Sequence, residues 1–416
     1  MFNRLYQKIF YSYVLWVLSI PLSYALTLQQ AEQYAVTHAP EIQQLRSTSE
    51  ALKQSAIAKG AFDDPKLGLG VSNLPVDTFS FTETEMTQIQ VGLMQQLPKG
   101  RTLSIRESQE NIRSSVYGAK LELMKLEILR VIRQQWLSLY YWQTALEIYQ
   151  QEKKLFSQLT ETTQALLANN QIQQKDAVRA RLELSQADQN ILLAKQQILA
   201  INGQLSRWLT IQDDAFKANM PIWNTPYSQT IIAKNIKQHP LLQADRLESD
   251  VSQKDIELSE QQYYPGFNVG VVYGFREGNN MTTGQPRSDF IGAQVTMDLP
   301  FFTSNLQDRE LEASTDRYAS MKAKEQADYQ QLLSELKTTF ASWKLLSDQN
   351  QLYQHNLVPE AQMYANSTEV AYQNEQTDFP TLVLAYLQDY STQLAALKTQ
   401  VSLLKTQINL LYLQGK

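Results

Sequence analysis

The chain contains no cysteine. That excludes disulfide stapling, thiolate metal sites, cysteine nucleophiles and attachment to a membrane through an acylated amino-terminal cysteine. Glycine and proline are sparse, 14 and 13 among 416 residues, and they cluster in a few places. Such spacing favours long uninterrupted elements over a compact α/β enzyme. The three histidines are scattered without ligand spacing, and the methionines are dispersed, so no metal site is read. Pro40 and Pro240 each follow a histidine closely, His38 and His239, which suggests a shared role at a helix start. No phosphate loop and no histidine beside a nucleophile is present, and the many carboxylates lie on helices whose charged faces read as solvated. No catalytic residue and no cofactor is therefore expected. The formal charge of −5, without a basic stripe, disfavours nucleic acid as a partner.

Long apolar runs are also missing. After residue 25 nothing approaches the ~20 apolar residues of a membrane-spanning helix. Residues 1–25 read instead as a secretory signal peptide. Arg4 and Lys8 give a basic start, Ile9 to Leu22 is mostly apolar, and Ser23-Tyr24-Ala25 fits a small-x-small cleavage site. The competing reading, a short anchor, is disfavoured by Ser12, Ser19 and Pro21 inside the run. An exported chain of this kind can enter a membrane only as a β-barrel.

What the chain does have is an internal duplication with a period of about two hundred residues. Pro40 recurs as Pro240, Pro65 as Pro265, Gly70 as Gly270, and Leu97-Pro98 as Leu299-Pro300. The expected division is a first repeat over 26–208, a connector over 209–227 containing Pro221 and Pro226, and a second repeat over 228–416. Each repeat reads as helix, strand, strand, very long helix, helix.

In the first repeat a helix is expected over 27–62, ended by Gly60 and Asp63-Asp64-Pro65. Two alternating strands follow within 66–97, at 66–74 and 87–97, with Leu67, Leu69 and Val71 set against Gly68, Gly70 and Ser72. From about Thr102 to Ala168 no proline occurs, and Leu139, Trp142, Leu146, Tyr149 and Phe156 fall at heptad spacing. At ~1.5 Å per residue such a helix reaches about 100 Å. Asn169-Asn170 breaks it, and a return helix runs to about Trp208. In the second repeat a helix is expected over 228–262, strands at 267–275 and 290–299, and one long helix over 304–373. Asn374 closes that helix, and Asp378 can cap the last one with Pro380 in its first turn. The last helix carries a seam at Leu394, Leu397, Val401, Leu404, Ile408 and Leu411.

Strands of about nine to eleven residues suit a tilted barrel crossing a bilayer. Their apolar faces carry Phe267, Tyr273 and Phe275, and their other faces are glycine, glutamine, asparagine and threonine, which suit a watery lumen. Four strands cannot close a barrel, and open edges are forbidden in lipid, so the chain must oligomerise. Three copies would supply twelve strands. The rival reading is a soluble periplasmic coiled-coil scaffold whose hairpins are interaction tips.

The order of elements resembles the TolC-type outer-membrane efflux proteins over essentially the whole mature chain. Asp64-Pro65-Lys66-Leu67-Gly68-Leu69-Gly70, Asn73-Leu74-Pro75-Val76, Met86-Thr87 and Gly92-Leu93-Met94-Gln95-Gln96-Leu97-Pro98-Lys99-Gly100 are similar to the heavy-metal cation efflux branch. The resemblance implies an α+β membrane protein, a homotrimer with a twelve-stranded barrel in outer-membrane lipid above a periplasmic α-helical tunnel. Pro65, Pro98, Pro265 and Pro300 would mark the junctions between barrel and helices, and the connector would form an equatorial collar. Asn169, Asn170, Lys175 and Asp176, with Asn374, Glu375 and Asp378, would form the periplasmic tip that closes the pore. That tip would meet a membrane-fusion adaptor, with an inner-membrane pump of the RND type supplying the energy. Family members can carry an acidic ring just inside the tip; here those positions are Pro380 and Val383, so the ring is not transferred. The implied function is a passive exit duct for heavy-metal cations, with drug efflux or type I protein secretion as the alternative.

Overall fold

The computed structural model describes residues 27–209, 217–221, 223 and 228–416. The leader expected over 1–25 and most of the connector expected over 209–227 lie outside the described residues. Among the described residues the elements are α1 (Leu28–His38), α2 (Pro40–Gly60), β1 (Lys66–Ser72), β2 (Gln88–Leu97), α3 (Thr102–Ala168), α4 (Gln174–Leu205), α5 (Gln229–Ile236), α6 (Pro240–Gln261), β3 (Phe267–Phe275), β4 (Phe290–Met297), α7 (Gln307–Leu352), α8 (Val358–Gln373) and α9 (Phe379–Leu413).

Three of the expected helices are divided. The helix expected over 27–62 breaks between α1 and α2, because Pro40 has no N–H to continue the ladder and instead starts α2. Ala39 is extended there, with φ −60° and ψ 124°. The helix expected over 228–262 breaks in the same way at Pro240, with His239 as the cap residue of α6. The expected likeness of the two histidines fails. His239 is buried; its Nδ1 accepts from the Leu241 N–H, which leaves Nε2 to donate to the Tyr412 carbonyl at 3.1 Å. His38 is the exposed last residue of α1, stacked on Tyr34.

The helix expected over 304–373 is interrupted by a π-helical turn, Tyr353–Leu357, between α7 and α8. Its cause is Pro359, which cannot donate to the carbonyl four residues back. The Val358 N–H bonds the Tyr353 carbonyl instead, a five-residue closure that absorbs the defect without ending the rod. α3, by contrast, runs unbroken for 67 residues.

Packing follows the seams. α3 lies along α2, α4 and α6, while α7 lies along α6 and α9. At the middle of the rods, α1 and the start of α2 press Leu28, Ala31, Ala35 and Ile42 around Trp136, Ile132 and Leu139 of α3 and Leu205 of α4. The Trp136 indole N–H donates to the Asn219 carbonyl at 3.1 Å, holding the far side of the connector to the rod. The second repeat builds its counterpart from Ile232 and Ile236 of α5, Leu242 of α6, Leu332 and Leu336 of α7 and Leu410 of α9.

Both rods end in the same turn. Asn170 and Glu375 adopt left-handed backbone, with φ 56° and φ 61°. Gln171 N–H reaches the Leu166 carbonyl and Gln376 N–H the Ala371 carbonyl, each over five residues, while Asn170 and Glu375 bond Leu167 and Tyr372. This is a Schellman closure, which glycine or asparagine fills without penalty and glutamate does not. Glu375→Gly is expected to raise stability by about 0.5–1 kcal/mol, with no gain of that size for Asn170→Gly. Thermal melting in detergent checks this; an unchanged or lower melting temperature for Glu375→Gly would contradict the strained turn.

Candidate functional site: a two-faced sheet above paired helical tips

The four strands form one antiparallel sheet in the order β1-β2-β3-β4. The central pairing joins the two repeats: Val91 opposes Tyr273, Leu93 opposes Val271, and Leu97 opposes Phe267. Because side chains alternate, that register puts most of the large apolar residues of β1 to β4 on one face, while Met94, Val272 and Phe290 fall on the other. Across the middle of the sheet one row on this face reads Leu67, Leu93, Val271, Ala293, and the next Leu69, Val91, Tyr273, Ile291. No other layer of the protein covers this face: Leu69 is 76 % exposed and Ile291 78 %. The opposite face reads Gly70, Gln90, Gly274 along one row and Gln96, Asn268, Thr296 along another. Gly270 and Gly92 are required there, since a Cβ at Gly270 would sit 3.0 Å from Met94 and one at Gly92 3.1 Å from Val272. β3 matches its expected range, while β1 ends at Ser72, where Asn73 turns with φ 56°, β2 begins at Gln88 and β4 ends at Met297, each within the range expected for it.

Pro65, Pro98, Pro265 and Pro300 all lie at the same end of this sheet, just before β1 and β3 and just after β2 and β4. A cavity of about 210 Å³ opens there between Gln96, Asn268, Thr296, Asp298 and Lys99. Below it the Arg101 N–H donates to the Gln261 side chain at 2.9 Å, and the Gln109 amide to Asp255 at 2.7 Å, so the foot of the sheet is fixed to α3 and α6. At the other end, the two strand-connecting loops are clasped together. Buried Arg287 donates to the carbonyls of Thr84 (2.8 Å), Thr82 (3.0 Å) and Glu277 (3.2 Å), and Arg276 to those of Ser288 (2.6 Å) and Glu85 (2.9 Å). Sequence reasoning missed this clasp, which rests on the pairing of β2 with β3.

The expected tip residues fall at the far ends of the rods. Asn169 and Asn374 are the exposed carboxy-terminal caps of α3 and α8. Asp378 caps α9, accepting from the Thr381 N–H at 3.0 Å and from the Thr381 hydroxyl. Those bonds hold its carboxyl below the usual range, and Lys175 from the other hairpin adds to the effect. The two turns are thus neighbours. Asp176, in the first turn of α4, is buried and interacts with Tyr372 of α8. Val383 is fully buried with Phe156, Ala180 and Phe379, so the position facing the tip is part of an apolar core.

Contrary to expectation, the carboxylates are not all solvated. Glu110 is 1 % exposed and lies between Lys59 and Arg113; Asp245 is 3 % exposed against Lys324. Glu152 and Glu183, also buried, occupy seam positions of α3 and α4. Glu183 continues the spacing Asp176, Ala180, Glu183, Ala187, and that spacing was the available signal. Among the described residues no group of three or more His, Asp or Glu is placed to hold a metal ion, and no helix is long and apolar enough to cross a membrane.

Residues 231–416 match the family of outer membrane efflux proteins. Efflux through the outer membrane is what that family's description names. Among curated proteins no sequence matches. Solved structures share the fold over nearly the whole chain. CusC superposes with a TM-score of 0.77 at 12 % identity, covering 93 % of this chain and 92 % of that one. The outer membrane protein VceC of Vibrio cholerae gives 0.76 at 15 % identity, covering 93 % and 96 %. The open MtrE outer membrane channel of Neisseria gonorrhoeae gives 0.76 at 14 % identity, covering 93 % and 88 %.

A charge at the middle of the apolar face should be far more damaging than one on the polar face. Val271→Arg is expected to cost about 2–4 kcal/mol in the membrane, and Gln294→Arg much less. Unfolding titrations from lipid vesicles check this, and equal costs for the two would contradict the assignment of faces.

Proposed function

We propose that three copies of this chain close a twelve-stranded barrel over a helical tunnel, and that the assembly is the passive exit duct of a tripartite efflux system. The observation that carries the reading is a sheet with one exposed face that is apolar but for Gln95, and two unpaired edges, β1 and β4. Lipid covers the face, and identical neighbours complete the edges. In this reading 26–208 and 228–416 are two structural repeats, so each copy contributes two hairpins of rods, and 209–227 belongs to an equatorial collar.

The rods carry the lumen from the barrel into the periplasm. Their tips, around Asn169, Asn170, Lys175, Asp176, Asn374, Glu375 and Asp378, are the proposed gate and the surface met by a periplasmic adaptor. The chain supplies no energy itself; that comes from an inner-membrane pump of the RND type. The proposed cargo is a heavy-metal cation. Support comes from the Asp64–Gly100 stretch at the sheet, which is similar to the metal branch, and from the likeness to CusC, whose structures concern transmembrane channel formation. The lumen-facing glycine, glutamine, asparagine and threonine would line a wide wet passage that selects little, leaving choice of cargo to the pump.

A strain lacking the gene is expected to lose tolerance to one or more of copper, silver, zinc, cobalt, cadmium and nickel, and to regain it when the gene is restored. Growth on graded plates of each metal beside a drug panel reads this out. Sensitivity to drugs alone would overturn the metal assignment and retain the duct.

A further inference from the structure

The three strand pairings carry a straight row across one copy, from Leu69 through Val91 and Tyr273 to Ile291. In a closed barrel the next β1 joins this row displaced along its strand, and that stagger sets the strand tilt. The stagger must be an even number of residues, because an odd one would turn the neighbour's Leu67, Leu69 and Val71 into the lumen. Overlap fixes its direction. Displacement one way slides β4 past Lys66 toward the end of α2 at Gly60, and only the other way keeps strand against strand.

The foot of the sheet gives the size. The Asp298 N–H bonds the Gly266 carbonyl at 3.0 Å, so the pairing of β3 with β4 continues below Met297 in the same register. Carried across to β1 through the pairings, Pro98 stands level with residue 62, Pro265 with 61 and Pro300 with 60, against Pro65 itself. The foot thus falls by about five residues in three strand steps. All four prolines mark where strands hand over to rods, and in a bilayer that boundary lies at one height. The same slope over a fourth step sets the neighbour's Pro65 level with residue 58 or 59, and the even stagger nearest to that is six. A stagger of four would turn the foot back up to residue 61, and eight would drop it three residues in one step.

At ~3.4 Å per residue and ~4.8 Å between strands, six residues over four strands gives a tilt of about 47° and a backbone radius of about 13 Å. A tilt of about 45° is ordinary for a strand crossing a bilayer. A stagger of two would leave the strands upright at about 20° and narrow the radius to about 10 Å.

We propose that β4 of each copy pairs with β1 of the next at this stagger of six, so that Leu69 faces Met297, Gly70 faces Thr296 and Val71 faces Val295 across every seam. The proposal rests on the reading that three copies close one barrel. The chemistry of the seam agrees with it. Leu69, Val71, Val295 and Met297 continue the apolar face without a gap. On the lumen side Gly68 faces Asp298, and its missing side chain leaves room for Lys66, the diagonal neighbour, to reach that carboxylate. Lys66 and Asp298 are both exposed, and neither enters an ion pair among the described residues, although Lys99 lines the same cavity as Asp298. Each seam is then closed by an apolar row toward lipid and an opposite-charge pair toward water.

The test is cysteine pairing of the full chain in membranes, with no native cysteine to interfere. A Cβ at Gly70 or Gly292 meets nothing within 4 Å, so a cysteine fits there. Directly opposed cysteines can bridge, whereas diagonal ones about 7–8 Å apart cannot. Mild oxidation and a denaturing gel without reductant read the result. Gly70→Cys with Thr296→Cys and, separately, Ser72→Cys with Gln294→Cys are expected to run as three linked chains. Gly70→Cys with Gln294→Cys, Gly70→Cys with Gly292→Cys, and Ser72→Cys with Thr296→Cys report staggers of four, two and eight, and are expected to stay single. Linking through one of these in place of the first two would overturn the stagger and retain the barrel. Single chains in all five would overturn the barrel reading and the stagger with it.

Discussion

In hydrocarbon an unpaired backbone N–H or C=O costs several kcal/mol, and this fold presents two rows of them. β1 and β4 each pair on one side only, and the face between them carries exposed leucine, valine, phenylalanine and tyrosine. Neither feature is tolerable for a lone chain in water or in lipid. The apolar face demands a bilayer, and the edges demand more strands. The parts below serve that sheet: its feet are fastened to α3 and α6, its far loops are clasped by Arg276 and Arg287, and its four strands hand over to the long rods.

The rods show how duplication is modified without being lost. α3 and the stretch from Gln307 to Gln373 have the same length, yet the first is continuous and the second accommodates Pro359 with a π turn. Their ends converge again on the same five-residue closure, although one turn has Asn170 in the left-handed position and the other Glu375. The prolines at 40 and 240 likewise start α2 and α6 at equivalent places, but only His239 is drawn into the core, against Tyr412. Backbone geometry is thus kept between repeats where side-chain chemistry is not.

Much of this was legible in the residues. The bounds of α3 follow from Pro98-Lys99-Gly100 on one side and Asn169-Asn170 on the other, and alternation over 267–275 defines β3 outright. Three kinds of feature were not. A proline that opens a new helix leaves the amphipathic pattern on both sides intact, so the breaks at Pro40 and Pro240 and the turn before Pro359 do not disturb the period. The strand order is set by β2 meeting β3 across the whole first pair of rods, a pairing no local pattern encodes. Seam spacing places Glu183 toward α3 but does not tell a buried carboxylate from a solvated one, so the two read alike.

The central claim is that copies of this chain complete one another's sheet. A chain without cysteine allows a direct trial. Gly70→Cys on β1 can be combined in turn with Gly292→Cys, Gln294→Cys or Thr296→Cys on β4, positions that share one face of the sheet but lie at opposite edges. Mild oxidation of the protein in membranes, followed by a denaturing gel without reductant, reads the result. The account predicts that at least one combination links copies up to a closed set of three and no further. Chains that stay single in all combinations would contradict it.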